Sequence, residues 1–219
     1  MFLLRLYQAL IMLNAEDVKA MLIAVADTVI ANEDVLGDAD RQLGDGDHGI
    51  GMSRGFTAAK TQLEALEPTS VSQVFTTTGM ALMSTMGGAS GAVFGMLFQS
   101  GGMAIASAEG LDAETFSTFL DASAQGVMNI GKAKPGDKTM VDALVAAQEA
   151  VAGAKDGSIS EALEAAASGA REGKEKTKDM IAQHGRARTL GEKCLGHPDA
   201  GAVSVSIIFH AMRDFAAKK

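Results

Sequence analysis

Apolar residues recur along this chain at intervals of three and four, the spacing that gathers them on one face of an α-helix. The pattern is clearest over Ala15–Ala31, where Val18, Met21, Leu22, Val25 and Val29 share a side. A polar stretch rich in Gly and Asp follows to about Gly49 and reads as a loop. Helices are then predicted over Met52–Leu66, which stops before Pro68, and from a Ser70 cap to about Met86. Ala92–Ala108 is apolar nearly all round, the mark of a buried helix. Further helices are predicted over Asp112–Ile130, from near Asp137, from Ser158 or Ser160 to about Ala182, and over Ala202–Lys218. Ala202–Phe209 alternates enough to pass for a strand, but it has no partner strand, and a lone strand leaves its backbone unpaired. The expectation is an all-α protein of about eight helices in a single domain, residues 15–219, after an N-terminal extension, residues 1–14.

Composition agrees with the helices and adds one qualification. The chain has 219 residues, no Trp and one Tyr, and is rich in Ala, Met, Leu, Glu and Lys, residues that favour helix. Its 25 glycines do not. They cluster at Gly44–Gly55, Gly87–Gly95, Gly131–Gly136 and Gly185–Gly201, so they mark loops between helices, where chemistry concentrates. A net charge of −8 argues against a nucleic-acid partner, which calls for a basic face. The single cysteine, Cys194, excludes an intrachain disulfide and agrees with a cytoplasmic location. Met1–Leu13 is apolar in part, yet Arg5, Tyr7 and Gln8 interrupt it and no small-residue cleavage site follows, which disfavours a signal peptide. A start at Met12, with Asn14 capping the first helix, is an alternative. No stretch has the length of a membrane span.

The sharpest chemical signal is Asp40-Arg-Gln-Leu-Gly-Asp45-Gly-Asp47-His48-Gly49, with three carboxylates within eight residues. Such clustering calls for a cation, and oxygen-only ligands suit magnesium or calcium rather than zinc. An EF-hand register fails, because the twelfth position is Gly49 or Phe56 instead of Glu. An ordinary acidic turn is the competing reading. Gly87-Gly-Ala-Ser90-Gly91 precedes a helix whose free amides could receive an anion. Gly131-Lys-Ala-Lys-Pro-Gly-Asp-Lys-Thr-Met140 imitates a Walker A loop, but Asp137 intervenes between Gly136 and Lys138 and no strand precedes it. There Asp137 reads as a helix cap, and Lys132, Lys134 and Lys138 as charges that either meet a polyphosphate or are solvated. The stretch from Gly185 to Gly201 holds Arg186, Arg188, His197 and Asp199, with Arg186 or Arg188 suited to a base or phosphate and Asp199 suited to capping the last helix. Cys194 and His197 are too few for a zinc site.

Together these loops resemble the L-subunit family of dihydroxyacetone kinases, from about Val18 to the C-terminus. The resemblance is carried by Gly44-Asp-Gly-Asp-His-Gly49 with Arg54-Gly-Phe56, by Gly87–Gly91, by Gly131–Met140, and by Gly185-Arg-Ala with Leu190-Gly-Glu192 and Gly196-His197. It implies a closed, roughly antiparallel barrel of eight amphipathic helices with ADP or ATP at one rim. Asp40, Asp45 and Asp47 would hold two Mg2+ ions. His48, Gly49, Ile50, Gly51, Ala89 and Ser90 would contact phosphate, while Gly131, Met140, Arg186, Asp199, Ala200 and Gly201 would enclose the adenosine. Gly51 stands where the family commonly has Asn, and Ala200 where it commonly has Pro. The resemblance further implies a K subunit that holds the ketose covalently, and in the phosphotransferase-linked form an M subunit that rephosphorylates bound ADP. A homodimer is also compatible. No general base stands out in this chain, so it is expected to be inactive without the K subunit. Two rivals use the same loops: a Mg-dependent phosphohydrolase, and a nucleotide-loaded regulator without turnover.

Overall fold

The computed structural model describes residues 12–219, and the signal-peptide and start-site readings of residues 1–11 lie outside them. Nine α-helices follow in order: α1 Ala15–Ala31, α2 Glu33–Arg41, α3 His48–Glu64, α4 Val71–Thr85, α5 Gly88–Ala104, α6 Ala113–Gly131, α7 Met140–Ala152, α8 Ile159–Lys176 and α9 Ala200–Ala216. Two short 3-10 segments, Thr177–Asp179 and Arg186–Cys194, lie between α8 and α9.

Most helix starts are set locally, by side chains that accept the backbone N–H groups no preceding turn can take. Asn14 and Asp17 form a reciprocal capping box on α1, as do Ser158 and Glu161 on α8. Ser70, Asp112 and Asp199 cap α4, α6 and α9. For α7 the cap is Thr139 with Asp142 rather than Asp137, so this helix begins three residues later than the expected Asp137 start.

Eight of the helices close a ring. Each of α3 to α9 packs on its predecessor, α9 returns to α1, and α1 packs on α3. Neighbours run antiparallel: Lys60 of α3 reaches Asp27 of α1 at 2.7 Å while Lys19, near the start of α1, reaches the Leu66 carbonyl at 2.7 Å. The ring closes the same way, with Lys219 beside Asp17. The ninth helix, α2, lies outside the ring at one rim, against α3 and α9. Within the ring a continuous apolar core includes Phe56, Phe75, Phe94, Phe98, Phe116, Phe119 and Phe209, all essentially inaccessible. Each such side chain contributes about 1.5–3 kcal/mol of burial free energy.

Three expectations are corrected. Residues 33–41 are helix instead of loop. His48–Gly51 and Gly88–Gly91 are not loop either, but the first turns of α3 and α5. The seventh expected helix ends at Lys176 instead of Ala182. Ala202–Phe209 is helical, as expected, and the described residues contain no strand beyond one antiparallel bridge between Leu13 and Leu111. That bridge and the burial of Leu13 tie the last residues of the expected extension to the domain. Among the described residues, no helix is long and apolar enough to cross a membrane.

Candidate functional site

Asp40 occupies the last turn of α2, so its carboxylate is presented by a rigid element rather than by a floppy turn. Its Oδ2 accepts the backbone N–H of Gly46 at 2.9 Å and that of His48 at 3.3 Å, which folds the Gly44–Asp47 loop back over the helix end. The fold-back requires Gly44, where a Cβ would stand 2.6 Å from Asp40 Oδ1. It also uses Gly46 in the left-handed region at φ +79°. As a result Asp40, Asp45 and Asp47 each offer a carboxylate oxygen within 4.8 Å of the others. Three hard anionic oxygens at that spacing suit a hard divalent cation that completes its shell with water and phosphate oxygens. In the described structure the neutralising charge is Arg186, which pairs with Asp45 and stands 3.8 Å from Asp47. Gly185, at φ +62°, turns the chain so that the guanidinium reaches them.

The carboxylates stand at a cavity of about 800 Å³ whose lining includes Asp40 and Asp47. Two helix N-termini open on it. Ile50 and Gly51 of α3 and Gly88, Ala89 and Ser90 of α5 all line it; the Gly51 N–H is taken by the Asp47 carbonyl at 3.0 Å, while the first-turn amides before it and those of Gly88, Ala89 and Ser90 have no intrahelical acceptor. Positive helix ends and free N–H groups suit an anion such as a phosphate. Arg54 reaches across from α3, its Nε donating to the Thr85 carbonyl at 2.7 Å and its guanidinium also to that of Met86. It thereby fixes the end of α4 and the Gly87 turn.

His48 also lines the cavity, but its ring is committed to the interior. Ser204 Oγ donates to the Ala200 carbonyl at 3.1 Å, which leaves His48 Nε2 as the donor in its 2.7 Å contact with Ser204. Burial pushes the His48 pKa below its ordinary value, against the opposing charges of Asp40 and Asp47. Gly49 faces away from the cavity. A Cβ there would collide with the Glu33 carbonyl, and this glycine lets α3 cross α2 closely.

The rest of the lining includes Gly131, Ala133, Met140, Ala200 and Gly201 with Val93, Phe94 and Val127, a largely apolar stretch suited to a nucleoside, alongside Lys138, Thr139, His184 and Asp199. Gly201 and Met140 are adjacent, a Cβ on Gly201 standing 3.1 Å from that of Met140. Asp199 caps α9 through the Ala202 N–H at 2.8 Å, and burial pushes its carboxyl up to about 7 although Lys138 opposes the shift.

The match to known proteins follows the same span. The model of the family described as "DAK2 domain" matches residues 42–214. The chain is 39% identical over 181 residues to the ADP-binding subunit DhaL of a PEP-dependent dihydroxyacetone kinase of Listeria innocua, covering 83% of this chain and 86% of the relative. It belongs to the DAK2 domain family. The corresponding DhaL of Escherichia coli is 40% identical over 82% of this chain and 86% of its own length. Among solved structures, the dihydroxyacetone kinase from C. freundii in complex with AMP-PNP and Mg2+ superposes with a TM-score of 0.70 at 26% identity, covering 90% of this chain. The chain spans about a third of that enzyme's length. An L-erythrulose 1-kinase of Mycolicibacterium smegmatis is 38% identical over 90% of this chain, which covers 35% of that protein.

In this DAK2 domain the expected residues converge except at Gly49. Asp40, Asp47, His48, Ile50, Gly51, Ala89, Ser90, Gly131, Met140, Asp199, Ala200 and Gly201 line one cavity, with Asp45 beside its carboxylates. Gly49 packs closely on α2, and Arg186 lines the cavity too, its guanidinium paired with Asp45 at the carboxylate end. Reasoning from sequence missed the part played by Asp137 and Lys138. Asp137 is buried and accepts from the Lys134 N–H at 3.0 Å, from Lys134 Nζ at 2.7 Å and from His184 Nε2 at 3.0 Å. Its hydrogen bond from the Lys134 ammonium, with further help from His184, holds its carboxyl at about 2. Lys138 is buried as well, which removes the solvated alternative for it, and it lines the cavity. The Asp-Lys pair at the point where the Walker-like pattern broke was the available signal.

Proposed function

We propose that this chain is the nucleotide-binding subunit of a dihydroxyacetone-type kinase, carrying ADP or ATP with Mg2+ and passing phosphate to a small ketose on a separate K subunit. The observation that carries this reading is the carboxylate triad at the rim of a cavity lined by two helix N-termini and by a largely apolar stretch. Asp40, Asp45 and Asp47 would hold Mg2+, two ions in the family's manner, and bound Mg2+ would supply charge neutralisation to the transferring phosphate. The α3 and α5 amides, with the Ser90 hydroxyl, would orient the phosphate oxygens. The wall from Gly131 and Met140 to Gly201 would seat the adenosine. Arg186, hinged at Gly185, would leave the carboxylates and turn to the phosphate.

The dihydroxyacetone and erythrulose kinases among its relatives support a three- or four-carbon ketose as acceptor. The names of the Listeria and Escherichia subunits support a phosphotransferase-linked regime with an M-type partner that recharges bound ADP. A cytoplasmic location fits that set of partners. The test is reconstitution: purified chain with Mg2+, dihydroxyacetone, a K subunit and either ATP or a phosphorylated M-type subunit should form the ketose phosphate, and none should form without the K subunit. Phosphate released from ATP by the chain alone at a comparable rate would contradict the reading and indicate a phosphohydrolase.

A further inference from the structure

Lys138 is only 2% exposed, and its side chain ends on two backbone carbonyls rather than on a carboxylate. Its ammonium donates to the Thr177 carbonyl, just past the end of α8, and to the His197 carbonyl at 2.6 Å, in the turn that leads into α9. Burying an ammonium that no carboxylate hydrogen-bonds is unfavourable even with Asp199 and Asp142 near enough to attract it, and a long apolar side chain would fill the same space at lower cost. Lys138 is also one of two non-glycine residues among those described with positive φ, at 58°, a conformation unfavourable for an L-residue. Unfavourable burial and unfavourable backbone persist together where the surrounding structure needs the residue there.

What Lys138 joins is specific. The loop that carries it runs directly into Thr139 and Met140, at the start of α7. Thr177 accepts from Lys138 through its carbonyl, while its hydroxyl accepts the Asp199 N–H at 2.9 Å. Asp199 in turn caps α9, and Gly201 lies against Met140. One ammonium therefore fixes the separation between the Met140 side and the Asp199–Gly201 side of the apolar wall. None of its hydrogen bonds touches the carboxylate triad or the N-termini of α3 and α5.

We infer that Lys138 is a positioning residue for the nucleoside half of the ligand, holding the two sides of the adenosine wall at a fixed spacing while leaving the phosphate half untouched. This rests on the nucleotide-binding reading above and adds to it a division of labour within the site. The test compares Mg-ADP with Mg-pyrophosphate, which shares the phosphates and lacks the nucleoside, by calorimetric titration of the wild-type chain and K138M. The expected result is a loss of ADP affinity of about tenfold, the equivalent of one charge-assisted hydrogen bond, with pyrophosphate affinity changed less than about twofold. Equal losses for both ligands, as from general loosening, or an unchanged ADP affinity, would overturn the inference. Should K138M not fold, K138Q, which keeps an N–H2 group within reach of one carbonyl, takes its place in the same comparison: a loss confined to ADP supports the inference, and equal losses or none overturn it. Wild-type protein that binds neither ligand would remove the nucleotide reading itself, and this inference with it.

Discussion

Gly51 offers the most direct way to read side-chain chemistry out of this cavity. It sits in the first turn of α3 and lines the cavity, and a Cβ built on it meets no heavy atom closer than the Met86 carbonyl oxygen at 3.9 Å. Its φ is not positive, so the backbone does not require glycine. Gly51→Ala should therefore stabilise the fold, by up to about 0.5–1 kcal/mol for a glycine replaced within a helix. A melting temperature higher by about 1–4 °C is expected for a chain of this size. Gly51→Asn adds an amide donor beside the free α3 amides, where the phosphates are proposed to sit. One hydrogen bond to a charged phosphate is worth about 1.5 kcal/mol, so the dissociation constant for Mg-ADP should fall by about tenfold. The Ala variant separates the two effects, since it should melt higher yet bind as wild type does. Calorimetric titration of the three proteins decides the matter. A folded Gly51→Asn variant with unchanged affinity would refute the placement of phosphate over the first turn of α3.

Three other perturbations probe neighbouring features. Ala200 is the first residue of α9 and follows Asp199 at φ −63° and ψ 133°, a conformation that a following proline favours, so Ala200→Pro should stabilise by about 0.4–1 kcal/mol in urea denaturation. A destabilised variant would show that the turn is not preorganised for proline. The Asp199 carboxyl is raised by burial to about 7, so between roughly pH 4, its ordinary range, and pH 7 the native state holds a proton that the unfolded chain has released. By linkage, stability should fall as pH rises through that window and level off above it. Asp199→Asn, which can still accept the Ala202 N–H, should remove that part of the slope in denaturation curves taken across pH. Finally, Arg186→Met should tighten binding of Mg2+ alone by several-fold, because guanidinium and metal compete for Asp45 and Asp47. Unchanged metal affinity would mean that the two do not share those oxygens.

How much of this was visible in the sequence depended on how far each feature's partners lie along the chain. The ring helices announced themselves through apolar periodicity, and caps such as Ser70, Asp112 and Asp199 act only three residues away. The carboxylate triad was legible for the same reason, its members lying within eight residues. Helix α2 was not. Glu33–Arg41 holds four acidic residues and a glycine among nine, and only Leu36 of its larger apolar residues is buried. Its position is secured instead by the close crossing with α3 at Gly49. The roles of Asp137 and Lys138 were hidden too, since their partners are His184, Thr177 and His197, 39 to 59 residues away. A local pattern suggested a cap and a lysine that either meets a polyphosphate or is solvated, and tertiary contacts made them the fasteners of the cavity wall. The ion pair of Arg186 was hidden on the same ground, for its partner Asp45 is 141 residues distant.

The central claim is that the triad holds Mg2+ for a bound nucleotide, and Asp45 tests it most cleanly. Asp40 also supports its loop through the Gly46 and His48 amides, whereas Asp45 is exposed and, among the described residues, bonded only to Arg186. Calorimetric titration of the wild-type chain with ADP, with and without Mg2+, after removal of any nucleotide that co-purifies, should show tight binding that requires the metal. Asp45→Ala should abolish it while leaving the melting temperature of the ligand-free protein nearly unchanged. Binding that is indifferent to Mg2+, or equally tight in Asp45→Ala, would reduce the triad to an acidic turn and contradict the account.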